Sequence, residues 1–475
     1  MSQTRHIAQN TLALLLSNVA NKILGFLIML TVARFLGTAN FGLYTYVFAY
    51  VAMFALATDL GLSTVVVRGL TQDDEAGRRW LGTALLLRWP LALTAYAGSV
   101  GGAYSLYGFD EYTRLIALSS LSFLTVPLST HAAVFTARMK QYGPALISLG
   151  SRIVLFGIIL WLASSGGSLY ALIGAEVLVG SLTNLGLWIW SRSLLRPSYA
   201  FSTSMARQLL NEGIPLFLSS VFIALYFRID VFFLKHFRDE AAIGVYAAAY
   251  RVTESMPLVA AALTNSLFPV LCQHVHSGNA ASVSKLVRSS LKILLVVIIP
   301  TALVVASYSG PVTQVLYGGR FKDSAQLMSI LVFGQILVYT NVLLTTLIVA
   351  RGRTQWLMIL TIGMVLFNVS LNYFVIPVYG ALGAAATTVA TEMAGTIGAL
   401  LLTSSSRIFL QVMARILIPA CACAAILAIF SPRTPDWTLS SFWPILAVAV
   451  IYPACLFFFR VFDQEEWERL QKLAW

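Results

Sequence analysis

The sequence predicts an all-α polytopic membrane protein with about fourteen transmembrane helices, and three observations carry that prediction. Of 475 residues, 58% are hydrophobic and only 11% are charged, which excludes an ordinary soluble domain. The mean hydropathy is +0.81. Apolar runs of about 20 residues, the length a helix needs to cross hydrocarbon, follow one another almost without pause. They are continuous and rich in Leu and Ala, and they lack the period-two alternation of a barrel strand.

Charged and Pro/Gly-bearing breaks divide the chain into spans near 10–32, 42–66, 81–106, 114–136, 144–164, 168–191, 213–234, 243–270, 289–308, 326–350, 355–376, 380–403, 409–430 and 441–460. No A-x-A-like cleavage site follows the first run, so it is read as a retained helix. The third and eighth spans are long enough to tilt or break. Gly37, Gly42, Gly380 and Gly383 mark turns and close helix contacts. The tail after residue 460 is amphipathic and mixed in charge, as an interfacial helix would be.

An internal echo sets "FLGTANFGLYTYVFAYV" beside "HFRDEAAIGVYAAAYRV". Both open a span with Gly-x-Tyr, at Gly42/Tyr44 and Gly244/Tyr246, and keep the same direction through the membrane. The expected organisation is a six-helix lobe at 1–191, an inter-lobe linker at 192–212, a second six-helix lobe at 213–403, an additional helix pair at 404–460 and a tail at 461–475.

The net charge of +12 is a matter of topology and calls for no nucleic-acid partner. With the N-terminus in the cytoplasm, seventeen of the 31 Lys and Arg residues fall in cytoplasmic segments, seven outside and seven within or at the edge of spans. That bias places both termini inside. Cys272, Cys421, Cys423 and Cys455 fall in or beside spans, at spacings that suit neither a metal site nor a disulfide. Trp80, Trp89, Trp188, Trp190 and Trp356 lie near predicted interfaces.

Three blocks carry a family resemblance: "ARFLGTANFGLYTYVFAYVAMFALATDLGLSTVVVR", "DVFFLKHFRDEAAIGVYAAAYRVTE" and "FNVSLNYFVIPVYGALGAAATTVATE". In order, and over residues about 33 to 392, they resemble the polysaccharide and oligosaccharide flippases. These form the O-antigen-flippase-like branch of the multidrug/oligosaccharidyl-lipid/polysaccharide exporter superfamily. The resemblance implies two lobes around a central cavity that opens alternately to each side of the bacterial cytoplasmic membrane. The cargo it implies is an undecaprenyl-pyrophosphate-linked glycan, moved to the periplasmic leaflet for surface polysaccharide biosynthesis. The implied partners are membrane lipids, a polysaccharide polymerase and glycosyltransferases.

A sugar pyrophosphate needs a wet, cationic path through the bilayer, so basic residues within spans are the first candidates. Lys22, Arg88, Arg152, Arg228 and Arg251 form the candidate substrate-binding set. Lys22 shares a polar stripe with Asn18, Asn21 and Gly25, which serves cavity lining or helix packing. Arg88 is near enough to an end to snorkel, as are Lys292 and Arg415, while Arg152 is placed for capture of cargo at the cytoplasmic side. Arg251 pairs with Glu254 at i, i+3 spacing, either as structural neutralisation or as a pair that cargo displaces.

In "LYFRIDVFFLK", Arg228 and Asp230 stand about 200° apart on a helix, so they face different surroundings. The resemblance puts an acidic residue at Asp230, which favours a structural or gating role there. Asp59, Asp230 and Glu254 are the coupling or gating candidates; Glu176 and Glu392 are further intramembrane acids, each open to Na⁺ or H⁺ coupling or to ion pairing. His131 reads as a packing residue.

No catalytic residues, resident metal or cofactor are expected. There is no Gly-x-x-x-x-Gly-Lys-Ser/Thr loop for ATP. The longest outside segment, about 309 to 325, is too short and too poor in His, Asp and Glu to house a glycosyltransferase or polymerase site. A lipid-linked peptidoglycan precursor flippase shares the pyrophosphate logic. A cation-coupled drug exporter of the same superfamily would need a net acidic, aromatic site instead.

Overall fold

The computed structural model describes residues 3–71, 74–199, 201–430, 443–459 and 461–462. Among the described residues every regular element is helical. The expected interfacial helix in the tail lies outside the described residues, apart from Val461 and Phe462.

The chain divides into two compact units, Met1–Lys235 and His236–Trp475. In the first, α1 (Gln3–Ala57) holds two spans joined by a turn at Gly37, where φ is 72° and ψ −178°. It is followed by α2 (Leu62–Leu70) and α3 (Asp74–Tyr107). The fourth span is built from α4 (Glu111–Ser120), two 3-10 segments at Leu121–Leu124 and Val126–His131, and α5 (Ala132–Ala137). Pro127, which has no N–H to donate, opens the second 3-10 segment. The unit is completed by α6 (Tyr142–Ser165), α7 (Leu169–Ser191) and α8 (Thr203–Phe237), so residues 203–212 are already helical.

The second unit begins with α9 (Glu240–Glu254), whose first turn is capped by Asp239 accepting from the Ala242 N–H at 2.9 Å. Then follow α10 (Leu258–His276), α11 (Ala280–Ser307), the short α12 (Ser309–Tyr317), α13 (Ser324–Ala350) and α14 (Thr354–Thr403). Like α1, α14 joins two spans across one glycine: Gly380 has φ 58° and ψ −134°. Arg238 covers this turn, donating to the carbonyls of Pro377 at 2.7 Å and Val378 at 3.1 Å. Helices α15 (Ser406–Phe430) and α16 (Trp443–Phe458) close the unit. Val412, Ile416, Leu427, Tyr452 and Leu456 pack them into one core with Leu291 and Leu295 of α11.

Ten described helices are long and apolar enough to cross a membrane. α1 and α14 each carry two of the expected spans, and α3 and the shorter apolar α16, of 16 residues, lie where the third and fourteenth are expected. Ile23, Trp161, Leu401 and Val450 are exposed on these helices, as expected of side chains that face lipid.

The structure refines three expectations. The second span is not continuous over 42–66: it stops at Ala57 and restarts at Leu62, after Leu60 (φ 46°) and Gly61 (φ 75°) take left-handed conformations. The third span is an unbroken 34-residue helix with Pro90 inside it. The eighth does break, between Glu254 and Leu258, and the Tyr339 hydroxyl donates to the carbonyl of Met256 at 2.8 Å. That bond satisfies an acceptor the interruption would otherwise leave open.

Candidate functional site

The Gly-x-Tyr echo extends to side-chain contacts. Tyr44 donates to the carboxylate of Glu176 on α7, the sixth span. Tyr246 bonds Thr388 at 3.1 Å on the second half of α14, the twelfth span. Each unit thus ties its second helix to its sixth through the same repeat tyrosine. Each also interrupts the span that this tyrosine opens. Interrupted helices in transporters expose backbone dipoles and polar side chains at membrane depth, so these breaks locate candidate sites.

In the first unit, Asp59 stands within the break. Arg88 from α3 reaches it, with Nη1 3.2 Å from Asp59 Oδ1. The same guanidinium donates to the Thr58 carbonyl at 3.1 Å, Ser63 Oγ at 3.0 Å and Thr130 Oγ1 at 2.6 Å. Arg88 is only 2% exposed while Asp59 is 32% exposed. Arg88 therefore does not snorkel; it fastens the interrupted span to the fourth. Glycine makes the break compact: a Cβ on Gly213 of α8 would stand 2.4 Å from the Leu60 carbonyl oxygen.

The polar stripe of the first span packs against α6. Ser17 donates to the Ala145 carbonyl at 3.3 Å, Asn21 to Ser17 at 3.2 Å, and Ser148 to Asn21 at 3.3 Å. Gly25 continues the seam and gives room to Arg152, whose Nη1 would lie 3.4 Å from a Cβ there. The amide and hydroxyl groups of the stripe hold the helices together; the side chain of Asn18 lies outside the described residues. Lys22 and Arg152 border the seam and are both exposed.

On α8, Asp230 is buried and Arg228 is half-buried, the division that their angular separation requires. Among the described residues, Lys22, Arg152 and Arg228 have no carboxylate within ion-pair distance.

In the second unit, Arg251 and Glu254 form the i, i+3 ion pair at 3.1 Å, in the last turn of α9 just before the break. A cation suits that helix end. Glu392 accepts from Asn341 at 2.8 Å. Asn368 donates to Thr391 at 3.1 Å and accepts from Asn372 at 2.9 Å, so the interior of α14 carries a buried amide and hydroxyl chain. His131 is fully buried, with Nδ1 2.8 Å from Ser191 Oγ.

Sequence reasoning missed Ser63 and Thr130 as partners of Arg88, and the amides of α14. The Asp-Leu-Gly step at 59–61 was the available signal for the first. Asn368 and Asn372 at i, i+4 were the signal for the second.

Among the described residues no cluster of three or more His, Cys, Asp or Glu side chains is arranged to hold a metal. The cysteines are unpaired, and Cys423 is buried in the apolar core of the second unit.

A family model described as polysaccharide biosynthesis protein matches residues 7–275, more than half of the chain, and the MatE model matches residues 215–374. The probable low-salt glycan biosynthesis flippase Agl15 of Haloferax volcanii is 24% identical over 403 residues, covering 82% of each chain. The teichuronic acid biosynthesis protein TuaB of Bacillus subtilis is 20% identical over 308 residues, covering 63% of this chain and 62% of TuaB.

Among solved structures, the lipid II flippase MurJ in its inward closed conformation matches with a TM-score of 0.76. It covers 94% of this chain and 99% of its own, at 17% identity. An inward-facing multidrug resistance MATE family transporter of the MOP superfamily gives 0.63, covering 83% and 94% at 18% identity. These two likenesses establish a transporter fold. The chain belongs to the polysaccharide biosynthesis protein family, in the flippase branch of the exporter superfamily that its sequence blocks resemble.

Proposed function

We propose that this protein is a flippase that moves a polyprenyl-pyrophosphate-linked oligosaccharide from the cytoplasmic to the outer leaflet, for surface polysaccharide biosynthesis. The observation that carries the reading is the set of cations Lys22, Arg152 and Arg228 on membrane-spanning helices, which have no carboxylate within ion-pair distance among the described residues. Such charges are costly in hydrocarbon and are retained where water or an anion meets them. The name of Agl15 as a probable glycan biosynthesis flippase supports the cargo class.

In this reading Lys22, Arg152 and Arg228 hold the pyrophosphate, and Arg251 becomes a cargo contact of the second unit when cargo displaces Glu254. Arg88 serves as a positioning residue through Asp59, while Asp230 and Glu254 gate, with Na⁺ or H⁺ as the driving ion. Residues 1–191 and 213–403 act as the two lobes, and the helix pair at 404–460 accompanies the second. The termini are cytoplasmic, in a bacterial inner membrane, and the carrier is undecaprenyl pyrophosphate. The protein moves cargo made and consumed by glycosyltransferases and a polymerase and forms no glycosidic bond itself.

Deletion of the gene followed by analysis of lipid-linked sugars tests this. Accumulation of a glycosylated pyrophosphate lipid on the cytoplasmic leaflet is expected. Accumulation of a peptidoglycan precursor would reassign the cargo, and normal leaflet distribution of both would refute the function.

A further inference from the structure

Helix α8 carries an exposed stripe. Thr203, Arg207, Asn211, Ile214, Leu218 and Phe222 are exposed, whereas Ala206, Leu209 and Gly213 are buried. At about 100° per residue the six exposed positions fall within a sector of roughly 100°, and the buried ones lie on the far side of the helix. The stripe changes character once along its length. Its first three members are polar or cationic and its last three are apolar, with Ile214 44%, Leu218 50% and Phe222 38% exposed.

The polar part forms a hollow. A groove of about 490 Å³ is lined by Thr203, Ser204, Arg207, Gln208, Asn211 and Glu212. The carboxylate in this lining is engaged, since Glu212 accepts from Arg68 of α2 and from Gln208 at 3.0 Å. Arg207, by contrast, has no carboxylate within ion-pair distance among the described residues. Pro215, one turn farther on, has no N–H to offer the Asn211 carbonyl, which leaves an acceptor at the inner end of the groove. The groove thus offers a guanidinium for phosphate, and amide, hydroxyl and carbonyl groups for sugar hydroxyls. Its volume lies within the roughly 300–1,000 Å³ of small-molecule sites, which suits a sugar-bearing head better than a lone phosphate.

The apolar part runs from Ile214 to Phe222, about 12 Å of helix, which is most of one leaflet's share of a hydrocarbon core about 30 Å thick. A cationic polar hollow continued on the same face by an apolar track of that depth matches a phosphate-bearing lipid with a large hydroxylated head. Taking the protein to be the flippase proposed above, we infer that this face of α8 is the entry site of the cargo lipid. The pyrophosphate sits on Arg207, sugar hydroxyls on Thr203, Gln208 and Asn211, and the first isoprenyl units along Ile214, Leu218 and Phe222. The competing occupant is a bulk anionic phospholipid, which shares the phosphate and the tail but lacks the sugars.

The test uses the full-length protein in phosphatidylcholine nanodiscs and, as probe, undecaprenyl-pyrophosphate-linked N-acetylglucosamine with a photoreactive diazirine in its first isoprenyl units. After illumination, mass spectrometry is expected to find the label on residues 214–222. Loss of the charge-assisted phosphate contact in Arg207→Ala should lower that labelling about tenfold, and Arg207→Lys should keep most of it. Arg207 is exposed, so both variants should fold, which gel filtration checks. Excess phosphatidylglycerol should not displace the label.

Unchanged labelling of α8 in Arg207→Ala overturns the inference. So does displacement by phosphatidylglycerol, which assigns the stripe to bulk anionic lipid. Labelling confined to other helices, such as those bearing Lys22 and Arg152, overturns the entry site and leaves the flippase reading in place, whereas a probe that labels no part of the chain counts against both.

Discussion

Arg88 and Asp59 approach to 3.2 Å across an interrupted transmembrane helix, and the arginine is the more deeply buried partner, 2% exposed against 32%. Removing Asp59 therefore strands a buried cation, whereas removing Arg88 leaves a carboxylate that water and Ser63 still reach. Asp59→Ala is expected to destabilise the protein by about 3 kcal/mol. Adding Arg88→Met should recover more than half of that loss, because the charge is then gone. Thermal unfolding in detergent of both singles and the double measures the coupling; a double variant no more stable than Asp59→Ala would contradict it.

Lys22→Ala and Arg152→Ala should each lower transport about tenfold or more, from the loss of a charge-assisted contact with phosphate. Both side chains are exposed and lack a carboxylate partner among the described residues, so melting temperature should barely move. Surface glycan output, normalised to folded protein in the membrane, reads the effect.

Arg228 and Asp230 should separate by phenotype. Arg228→Ala is expected to reduce transport with normal folded yield, and Asp230→Ala, at a buried position, to reduce folded yield first. Gel-filtration profiles beside transport rates distinguish the two. Equal loss of folding and transport in Arg228→Ala would remove it from the cargo path.

At the helix break, a methyl group on Gly213 would meet the Leu60 carbonyl oxygen at 2.4 Å, a backbone atom that cannot step aside cheaply. Gly213→Ala should therefore cost roughly 1–3 kcal/mol through overpacking. Gly101→Ala, where a Cβ meets nothing within 4 Å, is the matched control and should be neutral or slightly stabilising. Melting temperatures of the two variants provide the comparison.

The parts of this fold that were legible in the sequence are those set by local spacing. Gly37 and Gly380 announce the turns inside α1 and α14, and Arg251 with Glu254 announces an ion pair within one helical turn. The Arg88–Asp59 contact was not legible, because its partners are 29 positions apart and meet only after Leu60 and Gly61 turn the chain. "ATDLGLS" carries the Asp-Leu-Gly signal of a break, but nothing in it names Arg88 or Gly213 as the groups that meet there. Lys292 misled for a related reason: its place at the start of the expected span 289–308 suggested an escape to the interface, but it lies midway along α11, 1% exposed, beside α15 and Phe462. Coverage by a distant segment leaves no trace in hydrophobic periodicity.

The central claim is that Lys22, Arg152 and Arg228 on the spanning helices carry an anionic headgroup through the bilayer. The most direct measurement is the flipping rate of a polyprenyl-pyrophosphate-linked sugar in vesicles containing the Lys22→Gln/Arg152→Gln/Arg228→Gln protein, beside a Lys22→Arg variant. The account predicts that flipping falls to background in the neutralised protein and persists in Lys22→Arg. Undiminished flipping by a folded protein that lacks all three charges would contradict it.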